Sequence, residues 1–479
     1  MIPSRCPSHP VRLTEPTCAS AHEVDFEAPP SDNRVDSCTI PMLFLIGAPR
    51  LAMNMAWSAQ WAALGPLLQI LLPSWAVQLV QVIGPITGLV VAPTVGVLSD
   101  NCTSGYGRRR PFLFGGAIAS CLCWFLMMHT TDLGKALGDT PDRRHWTAFF
   151  TVFCYVWMDI TVNIAQVPAT LIIADFAGER QVLGSSIGLA YALSGSFFVA
   201  GYIWIFGPAH EHIKAFLAML MGIMLFTTMA VCLFVKEKPL IPTFLPSTSR
   251  TVQDALAAVY TGVRHLPRPL ALYCFLFCII QYGYTAYSSS RGQFFGLVVM
   301  GGSEHGADIC VQHANCTIEQ QNFNHGVRLA GGITDTLANV VGLLFLLCLP
   351  WLVRRFGAKR VLVTALVPQT FFIGLAFCKN VPVDIALVSL GSISQAAVFA
   401  LQMPVIVHVV GFGEQNRLGL FAGAFNSANC VGQLLNFALA SVLVTSPLGY
   451  ALPVLVGGVV TLIALFVSIA KWQVRLHTL

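Results

Sequence analysis

Charge is what this chain lacks. Of its 479 residues only 10% are Asp, Glu, Lys or Arg, against 55% hydrophobic, and the mean hydropathy is +0.70. So little polar surface cannot solvate a globule of this size, which excludes a water-soluble fold and points to an integral membrane protein. The signatures of enzyme chemistry are missing too: there is no nucleophile and base at motif spacing, no cluster of metal ligands and no glycine-rich phosphate loop, so neither an enzyme nor a bound cofactor is expected. The net charge of +5 comes from basic residues scattered over short segments, which argues against a nucleic-acid partner. Residues 1 to 41 have no basic stretch followed by an apolar core; they read as a disordered cytoplasmic tail and not as a cleavable signal.

Apolar runs are what the chain has instead. A membrane-crossing helix needs about 20 mainly apolar residues. Twelve runs qualify: 42 to 71, 75 to 99, 111 to 129, 146 to 175, 183 to 206, 214 to 235, 270 to 300, 327 to 353, 360 to 378, 383 to 411, 418 to 445 and 449 to 472. The longest connection, 236 to 269, leaves six on each side and is expected to hold a short amphipathic helix; 473 to 479 form a second tail. With both termini placed in the cytoplasm, the inner segments hold Arg108 to Arg110, Arg180, Lys236, Lys238, Arg250, Arg264, Arg268, Arg354, Arg355, Lys359, Arg360, Arg417, Lys471 and Arg475. The outer loops hold Lys135, Arg143, Arg144, Lys214, Arg328 and Lys379, so the positive-inside rule supports this orientation. Nine of the 15 cysteines fall in the apolar runs, where they act as small hydrophobes. Cys310 and Cys316 share an outer loop and could pair in an oxidising space, and Asn315 there begins a glycosylation sequon.

The halves echo each other. "YGRRRPFLFGG" follows the second run and "RFGAKRVLVTA" follows the eighth, placing Gly107 and Gly357 at matched turns. The expected fold is therefore an all-α membrane protein of twelve transmembrane helices in two six-helix halves, the major-facilitator type, with a central site where the halves meet. In the first of these turns Asp100 ends one run and Arg108, Arg109 and Arg110 precede the next. Such charges can pair at the membrane face and serve as a gate latch.

Ionisable groups inside a span cost roughly 2.5 to 3.5 kcal/mol at mid-helix, so each requires a reason. In the fourth run Tyr155, Asp159, Asn163, Gln166 and Thr170 are spaced by three or four and share one helical face. One acid on a polar stripe near mid-membrane reads as the lining of a wet cavity. The first run carries Arg50, Asn54, Trp57 and Trp61, and the seventh Tyr284, Tyr287, Ser288 and Arg291. Rings beside amides and hydroxyls suit a sugar, whose C–H faces stack while its hydroxyls exchange hydrogen bonds. Asp335, Asn339, Gln395, Gln402, Asn426, Asn429, Gln433 and Asn436 give milder stripes, of the kind that hydrogen-bond helix to helix.

"SDNCTSGYGRRRPF" resembles the turn between the second and third spans of the plant sucrose transporters and their animal relatives, in the glycoside-pentoside-hexuronide cation symporter group. "DITVNIAQVPATLIIADFAG", "NHGVRLAG" and "VFALQMPVIV" add to the resemblance, which extends from about residue 45 to 440. It implies a proton-coupled sugar symporter working by alternating access, with Asp159 matching the family's proton-carrying acid. The family's span-four arginine is replaced by Thr170, and Gln293 and Phe294 stand where its span-seven charges are found. Arg50 or Arg291 is the expected substitute. A sugar uniporter and a non-transporting sugar sensor are the alternatives. The expected working form is a monomer in a plasma membrane or an acidic organelle membrane, with a small sugar as substrate and the proton as coupling ion.

Overall fold

The computed structural model describes residues 39–140, 143–177, 181–237, 266–308, 316–410 and 418–472, with 257, 260 and 264 between them. Residues 1–38, most of the central connection, Arg180, Cys310, Asn315, Arg417 and the tail 473–479, on which several of the expectations above fall, lie outside the described residues.

Eleven of the twelve apolar runs are helices long and apolar enough to cross a membrane. They are α1 (Ile40–Leu71), α2 (Ser74–Asp100), α3 (Arg110–Met128), α4 (His145–Ala177), α5 (Leu183–Phe206), α6 (Ile213–Phe234), α7 (Arg268–Ser288), α8 (Ile318–Phe356), α9 (Ala358–Leu375), α10 (Val381–Ile406) and α12 (Ala451–Lys471). The run expected at 418 to 445 is the helix α11, Leu418–Leu443, whose apolar character is diluted by Asn426, Asn429, Gln433 and Asn436.

Packing follows the repeat. In the first half α1 packs on α5 and α6, α2 on α4, and α3 on α4 and α6; each pairing recurs six helices later, as α7 on α11 and α12, α8 on α10, and α9 on α10 and α12. The contacts between the halves obey the same rule, with α2 against α11 and α5 against α8. One apolar cluster, from Leu43 to Val235, forms the first core, and Leu270 to Trp472 contribute a separate one. The matched glycines agree in conformation as well as position. Gly107 and Gly357 have φ of +103° and +81°, a region that a side chain disfavours, and each precedes the start of a helix.

Three helices loosen where the halves meet. π-helical segments occupy Gln60–Leu64 in α1, Phe294–Val299 beyond α7 and Leu329–Thr334 in α8. Such bulges widen a helix by a residue per turn and often mark functional positions. The short helix Arg291–Gln293 packs against the first of them, joining the halves at the level of the candidate site.

One end of the bundle is shut. Arg144 makes a two-pronged ion pair with Asp308, at 3.0 and 2.6 Å, from α3–α4 to the loop after α7. His210 bonds Asn324 at 2.7 Å, Asn324 donates to Glu211 at 2.8 Å, Gln69 donates to Glu304 at 3.3 Å, and Arg328 donates to the Trp204 carbonyl at 2.7 Å. All of these join the first half to the second. The second cysteine of this loop, Cys316, is disulfide-bonded.

Candidate functional site

The polar stripes of α1 and α4 face each other. Arg50 Nη1 donates to Thr170 Oγ1 at 3.4 Å, the Trp57 indole donates to Gln166 Oε1, and Gln60 Nε2 donates to Asp159 Oδ1 at 2.8 Å. As numbers rise along α1 they fall along α4, as antiparallel helices require. Hydrogen bonds between membrane helices average about 0.6 kcal/mol, so these contacts orient the two helices more than they hold them.

Asp159 is fully buried, with 0% exposure. Among the described residues it forms no ion pair, Gln60 is the hydrogen-bond partner of Oδ1, and Oδ2 has none. Gly84 of α2 lies over it, close enough that a β-carbon there would come within 3.5 Å of Oδ1. Below it, Asn163 donates to the Asp159 carbonyl at 2.8 Å and to Thr87 at 3.2 Å, which fixes α2 on α4. A carboxyl in such a setting stays stable by carrying a proton and ionises when water reaches it. That is chemistry for moving a proton.

The other expected residues divide. Asn54 is used in packing, donating to the Ala192 carbonyl at 2.6 Å and to Ser196 at 2.7 Å on α5. Arg50 brings its guanidinium to Thr170, the position where the resembled family has its own arginine. In the second half Arg291, which is buried, and Asp335, which is half-buried, form an ion pair at 2.6 Å, with Arg291 Nη1 also donating to the Ser288 carbonyl at 2.8 Å. Tyr287 is buried beside Phe372, its hydroxyl without a partner, and Tyr284 is half-buried on the same helix. The C-terminal amides take the packing role: Gln281 donates to Gln395, Gln395 to Gln369, and Gln433 to Asn429 within α11.

The arginine turn has its partners in one half. Arg109 pairs with Asp100 and, at 3.1 Å, with Asp175, and donates to Ser99 at 2.6 Å; Arg108 pairs with Asp175 at 2.9 Å; Arg110 donates to the Cys232 carbonyl at 3.0 Å. These contacts staple α2, α3, α4 and α6 together. The polar contacts that bridge the halves lie instead at the shut end, where a cavity of about 760 Å³ is lined by Asp132, Lys135, Arg144, His210, Lys214 and Asp308 among others.

The sequence reading missed Gln60, although it stands three residues after Trp57 at the edge of the α1 stripe, and Asp335 as the partner of Arg291. It missed the shut end entirely, because Arg144 and Asp308 are 164 residues apart.

Residues 46–313 match the family model described as MFS/sugar transport protein. The chain is 28% identical over 249 residues to sucrose transport protein SUT3 of Oryza sativa subsp. japonica, covering 47% of this chain and 49% of that protein. It is 32% identical over 212 residues to proton-associated sugar transporter A of Rattus norvegicus, covering 42% of this chain and 28% of that one. The chain thus spans about half the length, or less, of the curated relatives it matches. In fold it is similar to a D-xylose-proton symporter, with a TM-score of 0.59 at 13% identity, covering 91% of this chain and 98% of that one. A bacterial homologue of the human peptide transporters PepT1 and PepT2 gives a TM-score of 0.61 at 14% identity, covering 89% and 97%.

Proposed function

Because the chain belongs to the MFS/sugar transport protein family, we propose that it carries a small sugar across a membrane together with a proton, by alternating access. The observation that carries this reading is the state of Asp159: buried at the meeting of α1, α2 and α4, with no cation paired to it and one oxygen without a partner among the described residues. Its charge has no local compensation, so its proton must come and go with the wetting of the site. Relatives named for sucrose transport and for proton-associated sugar transport support the same pairing of proton and sugar.

The positive-inside distribution supports the shut end as the outer one and both termini as cytoplasmic, and with Asp159 still buried this conformation is closed to the outside without having wetted the acid from within. In a plasma membrane or an acidic organelle, that outer face meets the more acidic side. Sugar and proton enter together from there, and opening inward wets Asp159 so that the proton leaves. A membrane potential of 100 mV adds about 2.3 kcal/mol for each charge moved. Arg50 and the Arg291–Asp335 pair supply polar groups for sugar from the two halves, with Trp57 as a ring surface. The arginine turn keeps the inner end of the first half rigid as the halves rock, acting on the gate from within one half.

The test is uptake by a monomeric preparation in proteoliposomes, using radiolabelled sucrose, maltose, glucose and a plant glucoside, with and without a pH gradient. At least one sugar is expected to accumulate only when the gradient is present, and Asp159→Asn is expected to abolish accumulation while sugar exchange continues. Equal accumulation by that variant in both conditions would remove Asp159 from the mechanism, and equilibration without concentration by the wild type would make the protein a uniporter.

A further inference from the structure

The inner layer of the shut end is built from amides where packing alone calls for apolar side chains. Gln60 of α1, Gln78 and Gln81 of α2 and Gln293 beyond α7 are all buried. Among the described residues, one polar atom each of Gln60 and Gln78, and both of Gln81 and of Gln293, have no hydrogen-bond partner, six atoms in all. Buried polar groups are normally paired, and every bare one disfavours the state that buries it. Six in neighbouring glutamines belong to a place, not to one awkward side chain.

Gly65 shows how close they come. A β-carbon on it would lie 3.2 Å from Gln293 Nε2 and 3.6 Å from Gln81 Nε2, so its missing side chain lets amides from the two halves approach. Since Gly65 and Gln81 belong to the first half and Gln293 to the second, Gln293 lies beside Gly65 only while this end is shut. Gln78, Gln81 and Gly84 follow one face of α2 toward Asp159. Gln60 completes the connection, with Nε2 on Asp159 Oδ1 and Oε1 bare.

We propose that Gln60, Gln78, Gln81 and Gln293 form a subsite for sugar hydroxyls that operates when the shut end opens, with Gln60 as the positioning residue that links its occupancy to Asp159. This rests on the sugar-transport reading. An amide both donates and accepts, so a group of them matches neutral hydroxyls and favours neither anion nor cation. Opening separates Gln81 from Gln293 and supplies the partners that the shut state denies them, so sugar stabilises the open form through them. A hydroxyl donating to Gln60 Oε1 fixes the amide that holds Asp159 Oδ1, and Oδ2 stays free for the proton.

The experiment measures exchange of radiolabelled sucrose in proteoliposomes, in competition with a set of monodeoxy sucroses, for the wild type, Gln81→Leu and Gln293→Leu. Loss of one neutral hydrogen bond corresponds to roughly 3- to 10-fold in affinity. At least one deoxy analogue should therefore compete that much more weakly than sucrose in the wild type and about equally with it in one Leu variant, with Gln81→Asn or Gln293→Asn restoring the discrimination. Gln60→Leu should take up fewer protons per sugar transported than the wild type. Identical analogue profiles in the wild type and both Leu variants would mean that the amides only pack the seal, and the subsite would be abandoned. Absence of sucrose exchange by the wild type itself would overturn the choice of sucrose-like sugars, and the subsite with it.

Discussion

Replacing Arg144 by Met tests whether the shut end is held by the pair seen there. The guanidinium meets Asp308 at 3.0 and 2.6 Å, and the two side chains are 18% and 10% exposed. A fully buried carboxylate stripped of its partner costs about 3 to 5 kcal/mol, whereas exposed pairs contribute about 0 to 1. At this intermediate depth about 2 kcal/mol is expected, roughly 30-fold in the ratio of open to shut at 1.4 kcal/mol per tenfold. The assay is the labelling rate of Ser289→Cys by a membrane-impermeant maleimide from the outer side. Ser289 is buried, and its backbone carbonyl lies beside Gly65 beneath the seal, so the rate follows the open population. Arg144→Met should raise that rate about 30-fold, Asp308→Asn should do much the same, and Arg144→Met with Asp308→Leu should fall well short of the two effects combined. An unchanged rate in Arg144→Met, or simple additivity in the double variant, would show that the ion pair does not hold this end.

Two further outcomes follow from the buried charges. Asp335→Ala leaves Arg291 with the Ser288 carbonyl as its remaining partner and, at a depth like that of the Arg144–Asp308 pair, should lower stability by about 2 kcal/mol in detergent unfolding; removing both charges with Arg291→Met and Asp335→Leu should restore most of it, and equal losses in both would refute the pairing. Burial holds His210, outside the spans, below the usual imidazole range, with Asn324 and Asp308 opposing; the shut state therefore binds a proton on His210 less readily than the open one. Its contribution to closure is intact above about pH 6.5 and is lost as pH falls below it. Glu211 acts in the opposite sense, because burial raises its carboxyl while Arg328 and Asn324 oppose, so that acid favours closure through it at lower pH. Ser289→Cys labelling, divided at each pH by that of a permanently exposed cysteine to remove the thiolate's own pH dependence, should accordingly rise between pH 7.5 and 5.5 more steeply in the parent than in His210→Gln, and parallel profiles would exclude His210 as the source.

The spans were legible because each needs only its own twenty residues: the run read at 146 to 175 is the helix His145–Ala177, and 183 to 206 is found at Leu183–Phe206. The α4 stripe was legible for the same reason, since i, i+3 and i+4 spacing is local. What faces the stripe was not. That Arg50 reaches Thr170, or that Gln60 takes Asp159, depends on how two helices are placed about a hundred residues apart. Gln60 also opens a π-helical segment, which shifts the face that a regular helix would present and moves the stripe off Trp61. Gln78 and Gln81 gave no pattern, and Gln293 stood out only as a departure from the resembled family, because a buried amide becomes conspicuous only when its partners can be counted. The arginine turn was recognisable as a cluster of charge, but the sequence could not say that its acids, Asp100 and Asp175, belong to its own half.

Sugar-driven proton uptake tests the central claim most directly. Liposomes holding a pH-sensitive dye and the reconstituted protein receive transported sugar outside, with no gradient imposed. The lumen is predicted to acidify with the wild type, and to show no sugar-dependent change with Asp159→Asn while radiolabelled exchange continues. Acidification by Asp159→Asn at the wild-type rate would contradict the account.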